Sequence, residues 1–144
     1  MAVETVADDE PKILLRQLSV DSKGEKGSWR MKWRVESLAQ DFLRLNTVRF
    51  PHGKFKAGEQ RFEPVIRLTP RGAAEFETRI ACSEPPGGAV ENAFAIFDAL
   101  WRDDRWRIFV RLRIEIDKQQ KPIAIPELIT TQRIGFSAGL KSEG

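Results

Sequence analysis

The chain holds one histidine, His52, and one cysteine, Cys82, among its 144 residues. A histidine that works as a general base needs a nucleophile and an orienting acid, and Pro51-His52-Gly53 marks neither. Cys82 ends an alternating apolar run on its core-facing side, which suits a small buried hydrophobe better than a reactive thiol. One thiol and one imidazole make neither an internal disulfide nor a Cys/His metal set. Asp103 and Asp104 are sequence neighbours in a turn, so their side chains diverge and paired acid/base work is unfavoured. Gly87-Gly88 has neither the Gly-x-Gly-x-x-Gly spacing nor the following helix of a phosphate cradle. The expectation is a protein that is not an enzyme and that uses no cofactor and no metal. Any function then rests on a surface.

Surface chemistry is dominated by arginine, 15 residues against 9 lysines, in a chain of formal charge +3 and pI near 9.2. The planar guanidinium suits bidentate contact with carboxylate or phosphate. Four acids, Glu4, Asp8, Asp9 and Glu10, stand in the first ten residues without a base among them, so the remainder is more basic than the total. Trp29 and Trp33 share a face with Met31 and Val35, which reads as core rather than as a stacking platform for sugars. Lys54-Phe55-Lys56 reads as an exposed loop with its aromatic tucked down.

These side chains are positioned by strands. Period-two alternation recurs along most of the chain, with turn residues between the runs. The pattern predicts strands at 13–20, 29–35, 42–50, 62–68, 74–82, 93–101 and 106–117, with a loop over 51–60. Residues 1–11 read as a disordered acidic tail, 12–117 as the domain and 118–144 as a C-terminal extension. Seven strands at this spacing predict an all-β fold, an antiparallel β-sandwich; a closed Greek-key β-barrel is the alternative. The expected core includes Trp29, Met31, Trp33, Val35, Phe76, Ile80, Phe97, Val110 and Leu112. No apolar run approaches the roughly 18 residues of a membrane span, and residues 1–5 lack a secretory pattern, so a cytoplasmic location is expected.

The strand order, the tryptophan-bearing second strand and the long sixth and seventh strands resemble an immunoglobulin-like or fibronectin-III-like sandwich over residues 12–117. The cysteine pair and tyrosine corner of antibody domains are absent, since Cys82 stands alone and the chain has no tyrosine. The resemblance implies a fold and no activity.

The segment 93–117 reads as a hairpin with a four-residue polar loop, Arg102 to Arg105. Placing Trp101 opposite Trp106 sets Ala99 against Ile108, Phe97 against Val110, Ala95 against Leu112 and Ala93 against Ile114, an apolar inner face. The outer face then carries Phe94, Ile96, Asp98, Leu100, Arg107, Phe109, Arg111 and Arg113, with Asp98 in reach of Arg107 and Arg111. Aromatics with arginines are enriched where proteins meet, so this face is the expected protein interface, for a partner or for a second copy in a homo-oligomer. The alternative is a nucleic-acid-binding domain that uses Arg30, Lys32 and Arg34 beside the hairpin arginines. The tail holds enough apolar residues to fold back over the hairpin face. Within it, 128–136 predicts an eighth strand, whereas Pro122 and Pro126 argue against a regular central strand before that.

Overall fold

A computed structural model describes residues 9–136. It contains β1 (Ile13–Ser22), β2 (Ser28–Ser37), β3 (Leu43–His52), β4 (Phe55–Leu68), β5 (Ala73–Ala81), β6 (Ala89–Trp101), β7 (Asp104–Ile116) and β8 (Pro122–Phe136). No α-helix occurs among the described residues, and hence none long and apolar enough to cross a membrane. The strands form one antiparallel sheet in the order β1-β2-β5-β4-β3-β6-β7-β8. The β3-β4-β5 meander is flanked by β6 beside β3 and β2 beside β5, the connectivity of a Greek key.

The sheet curls into a half-barrel around its own apolar face. Alternate residues along each strand point to the hollow. Trp29, Met31, Trp33 and Val35 of β2 are all buried there, as are Phe97 of β6 and Val110 and Leu112 of β7. The expected core is borne out at every named position, Phe76 and Ile80 included. Each such side chain contributes about 1.5–3 kcal/mol by leaving water. Aromatic rings span the hollow. Trp33 stacks on Phe50 with centroids 5.5 Å apart, and Phe62, Phe76 and Phe97 form an edge-to-face chain. The Trp33 indole Nε1–H donates to Thr78 Oγ1 at 2.8 Å, so neither buried polar group is left unpaired.

Two lines across the sheet lack a full ladder. Between β4 and β5 only Lys56 and Ala81 pair; beyond them Gln60 Nε2 donates to Glu77 O at 3.0 Å and the strands diverge. Phe62 and Phe76 fill the widening gap, their centroids 5.1 Å apart. Between the two edge strands, β1 and β8, there is no ladder at all. Gln17 spans this seam: its Nε2 donates to Pro122 O at 3.2 Å, and its Oε1 accepts from Ala124 N at 2.6 Å. At the other end of the seam Thr131 Oγ1 donates to Glu10 Oε1.

Several expectations are corrected. The sandwich, and with it the immunoglobulin-like arrangement of two facing sheets, gives way to a single curled sheet. Alternation gives each strand one buried face, and one curled sheet satisfies that requirement as well as two stacked ones do. The loop expected over 51–60 is instead a tight hairpin, with only Gly53 and Lys54 between β3 and β4. The hairpin register also differs. Trp101 pairs with Asp104, Ala99 with Trp106, Phe97 with Ile108 and Ala95 with Val110, so the pairing slips by two residues and every side chain keeps its face. The loop is Arg102-Asp103 alone, both with positive φ (53° and 65°), as in a type I′ turn. That turn matches the right-handed twist of the flanking strands, and the two tryptophans then meet diagonally, edge to face, at 5.9 Å. β8 begins at Pro122, earlier than expected. Proline is tolerated there because β8 is an edge strand, Pro122 is its first residue, and Pro126 adjoins a register shift in the pairing with β7. Of the acidic tail, residues 1–8 lie outside the described residues, as do 137–144.

Two outcomes follow for stability. Gln17→Ala removes both amide hydrogen bonds across the seam and lowers unfolding free energy by about 1–2 kcal/mol, read from urea midpoints at an unchanged m-value. An unshifted midpoint would mean that the seam does not depend on this amide. At the β6–β7 turn, Asp103→Val costs about 1–2 kcal/mol, because a β-branched residue resists positive φ. Asp103→Gly costs less than Asp103→Val, because glycine adopts positive φ without a side-chain penalty. Equal behaviour of the two variants would return the turn to a four-residue loop.

Candidate protein interface

The outer surface of β6 and β7 forms because the strands that bury Phe97, Ile108 and Val110 must turn every second residue outward. Phe94, Ile96, Asp98 and Leu100 of β6 lie on this convex side with Arg107, Phe109, Arg111 and Arg113 of β7. Phe94 and Phe109 pack edge to face with centroids 6.4 Å apart. Ile96 sits directly across from Phe109 on one side and Arg49 on the other, and only 7% of it is exposed. Leu100 stands apart, toward the turn, between Arg44 of β3 and Arg105 of β7. The expected interface residues therefore divide into an apolar group at Phe94, Ile96 and Phe109 and an outlying Leu100.

Arg107, Arg111 and Arg113 each have an acid beside them. Arg107 Nε donates to Asp98 Oδ1 at 3.5 Å, and Thr47 Oγ1 donates to Asp98 Oδ2 at 3.2 Å. The expected Asp98–Arg107 pair is thus present, whereas Arg111 turns to Glu127, with Nε 3.5 Å from Oε1 and no hydrogen-bond alignment. Arg113 pairs with Glu91 and, at 3.1 Å, with Glu115. These groups are about a third to a half exposed, so each pair adds at most about 1 kcal/mol to stability. Their larger effect is to leave an apolar surface with its charges already matched.

The tail does not fold back over this face; it lengthens it. β8 pairs along β7 and sets Ile123 opposite Glu115, Ile125 opposite Arg113 and Leu128 opposite Arg111. Cross-strand partners share a face, so these three side chains join Phe94 and Phe109 on the convex side. They remain 38%, 38% and 48% exposed. Glu127 is the extra residue at the bulge, which is why Ile125 and Leu128, three apart in sequence, point the same way. Sequence reasoning placed these residues among those able to fold back over the face. The spacing 123, 125 and then 128 carried the signal, readable only once a bulge after Pro126 is allowed. Across the seam β1 adds Leu14 and Leu18, 48% and 38% exposed.

Arg30, Lys32 and Arg34 also face outward, on β2. Glu77 lies directly across from Lys32 and Glu75 from Arg34, while Asp21 Oδ2 is 3.8 Å from the Arg30 Nη2. The stripe is interleaved with carboxylates and is not a uniform cationic track. His52 Nδ1 accepts from Lys54 N at 3.0 Å, a turn contact at the β3–β4 hairpin. Cys82 is buried, and that burial raises its thiol pKa above the ordinary value. Its carbonyl accepts the Trp29 indole N–H at 2.9 Å. No three metal-ligating side chains gather among the described residues. In comparison with known proteins, the chain matches no protein-family model and no curated protein by sequence.

Proposed function

We propose that this protein is a non-enzymatic protein–protein interaction module that docks a partner on the convex face of β6, β7 and β8. One observation carries the reading. Five outward apolar side chains, Phe94, Phe109, Ile123, Ile125 and Leu128, share the convex face of three adjacent strands, and the β7 arginines interposed among them, Arg111 and Arg113, are matched by local acids. Isolated exposed apolar residues are ordinary, but several gathered on one face among charge-matched polar residues are what interaction surfaces present. The paired rings of Phe94 and Phe109 supply the large desolvated area on which binding energy concentrates. Internal charge matching favours a second copy of the chain or a partner of little net charge in this region, since neither has to overcome a one-signed field. The interleaved carboxylates on β2 give less support to nucleic-acid binding through Arg30, Lys32 and Arg34.

The test is a pair of variants, Phe109→Ala with Arg111→Glu, and Ile125→Asp with Leu128→Asp. Size-exclusion chromatography with light scattering should show the parent above monomer mass, or a co-purifying protein retained on it. Both variants should lose that association while circular dichroism and the urea midpoint report an intact fold. A monomeric parent without protein partners, or an association unchanged in both variants, would overturn this assignment.

A further inference from the structure

The part of the convex surface built by β3 and β4 has a different character. Arg44 and Arg67 lie directly opposite each other in the ladder, and Arg61 lies opposite Thr47 further along β4. Like charges placed directly across an antiparallel pair repel. Arg44–Arg67 is not the only such pair, since Arg16 faces Arg34 and Arg30 faces Arg79. Those pairs have carboxylates across the adjoining ladder: Glu75 opposite Arg34, and Asp21 opposite Arg30. Arg44 has Leu100 on its other side, and Arg67 lies beyond the one residue pair that joins β4 to β5.

The backbone here is also shaped. Between Arg61 and Ile66, β4 carries four residues opposite the single Asn46 of β3, so residues 62–65 bulge out of the ladder. The bulge walls a groove of about 650 Å³ whose lining includes Arg44, Asn46, Arg61, Glu63, Pro64 and Arg67. Three guanidinium groups meet one carboxylate in it. Asn46 Oδ1 accepts from Arg44 Nε at 3.1 Å, which fixes that side chain and leaves its terminal nitrogens for another acceptor. Arg44 and Arg67 also line an adjoining groove of about 290 Å³ that contains Leu100 and Phe42, the latter 45% exposed. Asp41 is engaged there by Arg102.

We propose that this double groove is a binding site for a small phosphomonoester with an apolar or aromatic body. The phosphate lies between Arg44 and Arg67, with Arg61 at its far side, and the body rests on Phe42 and Leu100. Guanidinium forks satisfy a phosphate's oxygens in pairs, and the dianion removes the Arg44–Arg67 repulsion. The site shares only Leu100 with the residues expected at the protein interface and stands independently of it.

The probes are phenyl phosphate and inorganic phosphate, titrated into the full-length protein at constant ionic strength and followed by two-dimensional amide NMR. Saturable shifts should cluster on residues 42–47, 61–67 and 100–103, with phenyl phosphate the tighter ligand. Arg67→Gln should weaken both probes by about tenfold or more, and Phe42→Ala should weaken phenyl phosphate while leaving inorganic phosphate unchanged. Arg79→Gln, which removes an arginine from β5, should match the parent. If Arg67→Gln does not fold, Arg44→Gln serves in its place. Shifts scattered over all arginine-bearing strands, no saturation, or equal effects of Arg67→Gln and Arg79→Gln would overturn the site. Phosphate binding without any gain from the phenyl group would overturn the assigned body contact.

Discussion

A single sheet with one apolar face has nothing to pack against except itself, and that constraint organises the molecule. Eight strands curl until residues from opposite ends of the chain share one core: Ile13 and Leu15 near the start, Ile114 and Ala124 near the end. The curl brings the two edge strands together without matching their ladders. Side chains then do what backbone pairing does elsewhere. Gln17 occupies an inward position opposite Trp33, where an apolar residue would be usual, and its amide instead serves two backbone groups of β8. Edge strands left open invite uncontrolled pairing with other chains; a bridged seam and the bulges of β1 and β8 both work against it.

Much of the fold was legible because period-two patterning determines which way a side chain points. Trp29, Met31, Trp33 and Val35 declare an inner face whatever strand lies beside them. Register is a different quantity. A slip of two residues, as between the expected Trp101–Trp106 pair and the observed Trp101–Asp104 pair, leaves every facing intact and so leaves no mark on the pattern. Only turn geometry decides it, and Arg102-Asp103 lacks the glycine or asparagine that usually announces a type I′ turn. The number of sheets was hidden for the same reason, since curvature depends on bulges and splayed pairs that alternation does not encode. The early start of β8 stayed hidden because its prolines exclude a central strand but not an edge strand, and which of the two β8 is depends on topology.

The convex surface was partly legible. Phe94, Ile96 and Phe109 could be grouped from the hairpin alone, because two antiparallel strands share faces. Ile123, Ile125 and Leu128 could not be added until β8 was known to pair with β7 and to carry a bulge at Glu127. The β3–β4 arginines were harder still. Arg44, Arg61 and Arg67 are scattered in sequence, and their proximity depends on four residues of β4 looping out opposite Asn46. What emerges is a surface divided by chemistry. Along β7 Arg107, Arg111 and Arg113 are matched to acids beside apolar residues, whereas along β3–β4 the arginines outnumber the acids.

The single Lys56–Ala81 pairing between β4 and β5 sets where this sheet is easiest to part. On one side lie β1, β2 and β5; on the other lie β4, β3, β6, β7 and β8, each group held by long, if bulged, ladders. Opening along that line breaks few main-chain bonds, so the two groups form natural cooperative units for sub-global unfolding. The half-barrel is thus held along this interior line less by main-chain pairing than by side-chain packing, with Phe62 against Phe76.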